Sequence, residues 1–137
     1  MFRALDISTS GLVAQRHHLN TIAGNIANVN TTRNEKGEST PFQRRIALFE
    51  PGNRTPESQT GGQGVRVQID IDRQTPNRIV HDPGHVDADE AGNVQYPNVN
   101  IVTEFVNALQ ASRAYEANVA SIEVTKNMIS QTLRILG

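Results

Sequence analysis

IVTEFVNALQASRAYEANVASIEVTKNMISQTLRIL, residues 101–136, runs without a single glycine or proline. Ile101, Ala108, Tyr115, Ile122, Ile129 and Leu136 recur at every seventh position. Phe105, Ser112, Val119, Lys126 and Leu133 fall between them, four residues on. This is the a/d spacing of a heptad, interrupted by two polar members, Ser112 and Lys126. Pro97 lies just ahead of the pattern and Asn100 stands where an N-cap is expected. A helix over 101–136 would be about 54 Å long at 1.5 Å per residue. A compact globule of 137 residues has a radius of gyration of roughly 14 Å, hence a diameter near 37 Å. The helix overshoots any globule its own chain could build, so other segments or other subunits must cover its seam.

The N-terminal stretch shows a weaker version of the same pattern. Leu5, Leu12, Leu19 and Ile26 lie seven apart, with Ser8, Gln15, Ile22 and Val29 three residues after each. The stripe is poor at the start and good from Leu19 onward. Asn28, Asn30 and Thr31 are weak helix formers and predict the end of the helix there. Asn20, Asn25, Asn28 and Asn30 form a dense series, costly in a helix unless the amides find partners. Two readings stand side by side. Either the series caps a fraying helix end, or it hydrogen-bonds across a packed helical interface and fixes its register.

Between the helices, residues 30–100 hold all six prolines and most of the glycines. FQRRIALF (Phe42–Phe49) is a candidate strand. VRVQIDI (Val65–Ile71) alternates strictly, with Val65, Val67, Ile69 and Ile71 on one face. RIV (Arg78–Val80) and VQY (Val94–Tyr96) predict short further strands, and Asn30–Pro41 and Pro51–Gly64 predict polar loops. The expected fold is α+β. Long terminal helices pair as a coiled-coil-like core domain over 1–30 and 98–137, and a small β-rich outer domain occupies 31–97.

Composition narrows the function. Hydrophobic residues make up 36% and aromatics 4%, with no Trp, so few large side chains are available to fill a core. The net charge is −1 without any basic run, which argues against nucleic acid and against an anionic membrane surface. With no cysteine, disulfides, thiolate nucleophiles and Cys-based zinc sites are out. The first twenty residues lack the apolar run and small-residue cleavage site of a signal peptide. Nor does any stretch approach the ~18 apolar residues that span a bilayer. Membrane insertion is not expected.

The densest polar cluster is HDPGHVDADEAGN, His81–Asn93. One reading is a metal-binding module built on His81–Glu90. Asp87, Asp89 and Gly92 take positions 1, 3 and 6 of a calcium loop, but Ala91 and Asn98 occupy positions 5 and 12. The simpler reading is turn chemistry joining two short strands. His17 and His18 are adjacent on a helix and point about 100° apart, so one metal cannot bind both. Ser8, Thr9 and Ser10 lack a nucleophile elbow, and Gly61, Gly62 and Gly64 match no phosphate-binding loop. No active site, cofactor or small-molecule substrate is expected.

SGLVAQRHHLNTIAGNIANVNTT, residues 10–32, resembles the N-terminal signature of the flagellar rod, hook and axial protein family. The likeness rests on Ser10-Gly11-Leu12, Gln15, Leu19-Asn20 and Asn25-Ile26-Ala27-Asn28. In place of the family's short Gly-Tyr step, TTRNEKGESTPFQRR follows, and it resembles the proximal-rod branch. HDPGHVDAD, YPNVNIVTEFVN and ASRAYEANV are similar to that branch as well. The resemblance implies a subunit of a hollow helical tube that spans the periplasm, exported by the flagellar type III apparatus without cleavage. Implied partners are its own copies, other proximal-rod and distal-rod subunits and the FliE-type adaptor at the base. The residues expected at assembly interfaces are Leu12, Leu19, Ile22, Asn25, Ile26 and Asn28 of the first helix. Phe105, Tyr115, Val119, Ile122, Ile129 and Leu133 are expected there from the second.

Overall fold

The computed structural model describes residues 2–52 and 64–136. The polar segment anticipated between Pro51 and Gly64, with Gly61 and Gly62, lies outside the described residues except at its ends. The element order is α1 (Phe2–Ala27), β1 (Arg45–Pro51), β2 (Val65–Ile71), β3 (Arg78–His81), β4 (Asn93–Tyr96) and α2 (Ile101–Leu136). The chain thus has two long terminal helices flanking short β-strands, the α+β arrangement expected. It forms two compact units. One comprises Met1–Leu19, Ala47–Gln68 and Ala108–Gly137, the other Asn20–Ile46 and Ile69–Asn107.

Both helices begin and end where local chemistry dictates. Asn100 caps α2: its Oδ1 accepts from Thr103 N at 3.2 Å, and its carbonyl accepts from Glu104 N at 3.0 Å. At the other boundary, Asn28 Nδ2 donates back to Gly24 O at 2.9 Å and Asn28 Oδ1 accepts from Thr31 Oγ1 at 3.2 Å, closing α1. In the first unit α1 and α2 touch at Gly11, where a Cβ would stand 3.1 Å from Asn118 Nδ2. A mid-helix glycine costs roughly 1 kcal/mol against alanine, and here it lets the two helices approach closely. Among the described residues of this unit the buried apolar side chains are also small, Ala14 and Ala111.

The strands pair as two small sheets, β1 with β2 and β3 with β4. The β3–β4 ladder is antiparallel, from Arg78 opposite Tyr96 to His81 opposite Asn93. Strand β1 begins three residues later than the apolar run suggests. Phe42 N donates to Thr31 O and Arg44 N to Asn98 Oδ1, so these amides are committed elsewhere before the ladder starts. Strand β2 forms over the alternating run, but Val67 alone on its apolar face is half-covered and Val65, Ile69 and Ile71 remain exposed, because a two-stranded sheet has too few neighbours to cover a face. Ser10 anchors the start of β2 to α1: its Oγ donates to Ile7 O and accepts from Val65 N at 2.9 Å. Gly64 makes this possible, since a Cβ there would lie 2.7 Å from Ser10 Oγ.

Candidate assembly interface

The second unit is organised around buried polar groups more than apolar ones. Asn25 is 1% exposed and uses its whole amide. Its Nδ2 donates to Arg45 O at 2.7 Å and to Glu104 Oε2 at 3.1 Å, while Oδ1 accepts from Arg45 N at 2.8 Å. Glu104, also buried, accepts from Arg44 Nε at 2.7 Å through its other oxygen. Arg44 lies 3.6 Å from Asp72. Asn98 completes the set, accepting from Arg44 N and donating to Asp72 O and Thr75 O, both at 3.1 Å. Helix α1, the entry to β1, the exit of β2 and the first turn of α2 thereby meet at one satisfied network. Every buried amide and charge in it has a partner, the condition under which such groups specify register without large desolvation loss. Around it the apolar contribution is thin: Ile22, Val94 and Val99.

The two readings of the asparagine series each hold for one residue. Asn25 bridges elements and Asn28 caps the helix. Sequence inspection singled out Asn25 but passed over Arg44, Asp72, Asn98 and Glu104. Glu104 carried one faint signal, an acid in the first turn of α2, four residues after an Asn cap.

The His81–Asn93 segment forms turns. Asp89 Oδ1 accepts from Ala91 N and Asn93 N, Asp82 Oδ1 from Gly84 N, and Gly92 adopts φ +76°. Asp87 reaches across to the chain beyond α1, taking Thr32 Oγ1 at 2.8 Å and Arg33 Nε at 2.7 Å. Among the described residues no three His, Asp or Glu side chains converge as metal ligands. His18 packs edge-on against Phe49, ring centroids 5.4 Å apart.

Two carboxyls in this unit are held below the ordinary range. The Thr75 backbone N–H and hydroxyl do so for Asp72, helped by Gln74 N and Arg44. The Thr32 hydroxyl does so for Asp87, with Arg33 and His85 adding to it. Both ionise more readily folded than unfolded. Their stabilisation is therefore complete above the unfolded Asp value of about 3.9 and is lost as pH falls through the lower folded values. Thermal melts should change little between pH 7 and about 5 on this account, then fall steeply in acid. The Asp72→Asn, Asp87→Asn double variant should show a shallower acid slope. An unchanged slope would show that these two carboxyls do not carry the acid response.

The residues expected at interfaces divide into two groups. Ile22 and Asn25 are buried within the chain, and Leu12, Leu19, Ile26, Asn28, Val119, Ile122 and Ile129 are half-covered. Phe105, Tyr115 and Leu133 are exposed. Along α2, Ala108, Ile122 and Ile129 on the first heptad line are half-covered, while Tyr115 on the same line is exposed. On the second line Ser112 and Val119 are half-covered and Phe105, Lys126 and Leu133 exposed; the deepest burial on α2 lies on the line one residue earlier. Glu104 and Ala111 are buried on that line, and Asn118 and Thr125 are half-covered. Small and polar residues let α1 come close, and this pushes the larger apolar side chains onto the flank.

Residues 5–33 match the family described as flagella basal body rod protein, and residues 90–135 match the C-terminal region of flagellar basal body rod FlgEFG proteins. Flagellar basal-body rod protein FlgC of Escherichia coli is 37% identical over 98% of this chain and 97% of its own length. The FlgC proteins of Borreliella burgdorferi and Aquifex aeolicus are 37% and 38% identical, over 99% and 96% of this chain and 97% and 94% of their own lengths. With helices at both ends matched separately and the whole length matched together, the chain belongs to the flagellar basal-body rod protein family, in its FlgC group.

Proposed function

We propose that the chain is a structural, non-catalytic subunit of the flagellar proximal rod. It polymerises into a hollow helical tube that transmits torque and conducts exported subunits. In this reading the terminal segments, 1–30 and 98–137, pack into the tube wall, and 31–97 forms the outer β-rich part. Leu12, Leu19, Ile26, Phe105, Tyr115, Val119, Ile122, Ile129 and Leu133 face neighbours. Those neighbours are its own copies, other proximal-rod and distal-rod subunits and the FliE-type adaptor. The chain leaves the cytoplasm through the flagellar type III apparatus without a cleaved signal and spans the periplasm as part of the rod. No helix among the described residues is long and apolar enough to cross a membrane.

The observation that carries this reading is the full-length kinship with rod subunits. What accompanies it is an α2 with many large apolar side chains left bare, among them Val102, Phe105, Val106 and Leu109. An enzyme of this size would have to hide that surface; a polymer subunit uses it. The test is deletion and tagging in the native host. Deletion should abolish swimming, and the tagged chain should restore it and co-purify with basal bodies. Full motility in the deletion strain, or a tagged chain confined to the cytoplasm, would reject the proposal.

A further inference from the structure

Helix α2 carries two apolar stripes that its own chain leaves bare. At its start Val102, Phe105, Val106 and Leu109 are each more than half exposed. They stand at i, i+3, i+4 and i+7, which puts them on one side of the helix, the anchor spacing of helix docking. Toward its end Val124, Met128 and Ile135 are also each more than half exposed, Ile135 by 84%. Steps of four and seven put these three on one side as well. Residues 130–135 are exposed all round. A helix end of so few turns without a packed face is marginal in water, so its order depends on a partner.

We infer that the first stripe of one copy docks against the end stripe of a second copy, the two α2 helices parallel and staggered. This rests on the rod reading and says which surfaces meet. Copies repeated along a tube point the same way, so their α2 helices run parallel. Pairing in register is disfavoured by charge. Arg113 and Glu116, both exposed, continue the side that bears the first stripe, and in register each would face its own copy. Stagger removes that opposition and brings apolar onto apolar. Because the two stripes are different surfaces, the contact is heterologous and leaves one unused stripe at each end. Such a contact propagates into an open helical polymer, whereas one stripe used twice would close as a dimer.

The chain has no cysteine, so disulfide trapping reads the contact directly. Val106→Cys and Met128→Cys are both surface changes. Basal bodies from cells expressing the double variant are treated with a mild oxidant and run on a denaturing gel. A ladder of dimers and higher multiples is expected, with none from either single variant, and dimers only from cells expressing the two singles together. Dimers from Val106→Cys alone would show a closed, same-stripe contact and overturn the inference. Absence of cross-links while the double variant is present in basal bodies would overturn it too, leaving the rod reading intact. If the cysteine-free chain is itself absent from basal bodies, both readings fall. A second measurement covers poor incorporation of the cysteine variants: Val106→Asp and Met128→Asp, separately, should each reduce basal-body incorporation at least tenfold. Full incorporation of either counts against the contact.

Discussion

Glu104→Ala should unfold the second unit more effectively than any surface substitution. The carboxylate is 1% exposed and holds Arg44 through one oxygen and Asn25 through the other. Its loss leaves the Arg44 guanidinium with Asp72 at 3.6 Å as its ion pair among the described residues, and one of the three hydrogen bonds of the Asn25 amide disappears. Breaking a buried pair in this way costs about 3–5 kcal/mol, a third or more of the stability of a typical domain. The melting midpoint should fall by roughly 10–20 °C. Glu104→Gln keeps the shape and the acceptor and should lie between. Arg44→Met with Glu104→Met should cost less than the two single changes added, because the buried pair is then removed whole and Asp72 keeps its hydrogen bonds from Gln74 and Thr75. A Glu104→Ala protein that melts within a degree or two of the parent would show the network to be incidental.

This network also marks where reading the sequence stops. Helix α2 was legible to the residue because 36 positions without Gly or Pro, behind an Asn cap, admit little else. β2 was legible from its strict alternation. What periodicity does not encode is which flank of a stripe its own chain will cover. The heptad favoured Phe105 and Leu133, the largest apolar groups, yet the intrachain seam uses Ala111 and Asn118 beside Gly11. Close approach between helices rewards small side chains, and a hydrophobic pattern is blind to that. Glu104 and Asn98 were missed for a related reason. A buried acid or amide looks like surface until its partners are known, and those partners come from positions as far away as residues 25, 44 and 72.

Ile122→Asp should abolish rod assembly while its neighbour Glu123→Gln leaves it unchanged. Ile122 is half-covered on the seam line of α2. Asn118 lies against Gly11, so with the helices antiparallel, one turn further along α2 brings Ile122 level with Ile7, itself half-covered. A carboxylate introduced there gives up water beside apolar side chains at a cost on the order of several kcal/mol, of which a pair with the exposed Lys126 one turn on offsets only about 0.5 kcal/mol. The penalty acts first within the subunit, where purified protein should melt well below the parent. It acts again wherever a neighbouring subunit completes the burial of that line, and in a polymer every copy repeats it. Glu123 is turned about 100° away and is exposed, so neutralising it removes no packed contact. Each variant is expressed in place of the native chain, and export, basal-body assembly and swimming are scored. Export should continue with Ile122→Asp, since an unfolded chain can still be secreted, but rods should be missing. Normal rods and normal swimming from Ile122→Asp would show that the 108–115–122–129 line is not a packed seam, and the tube-wall assignment of α2 would go with it.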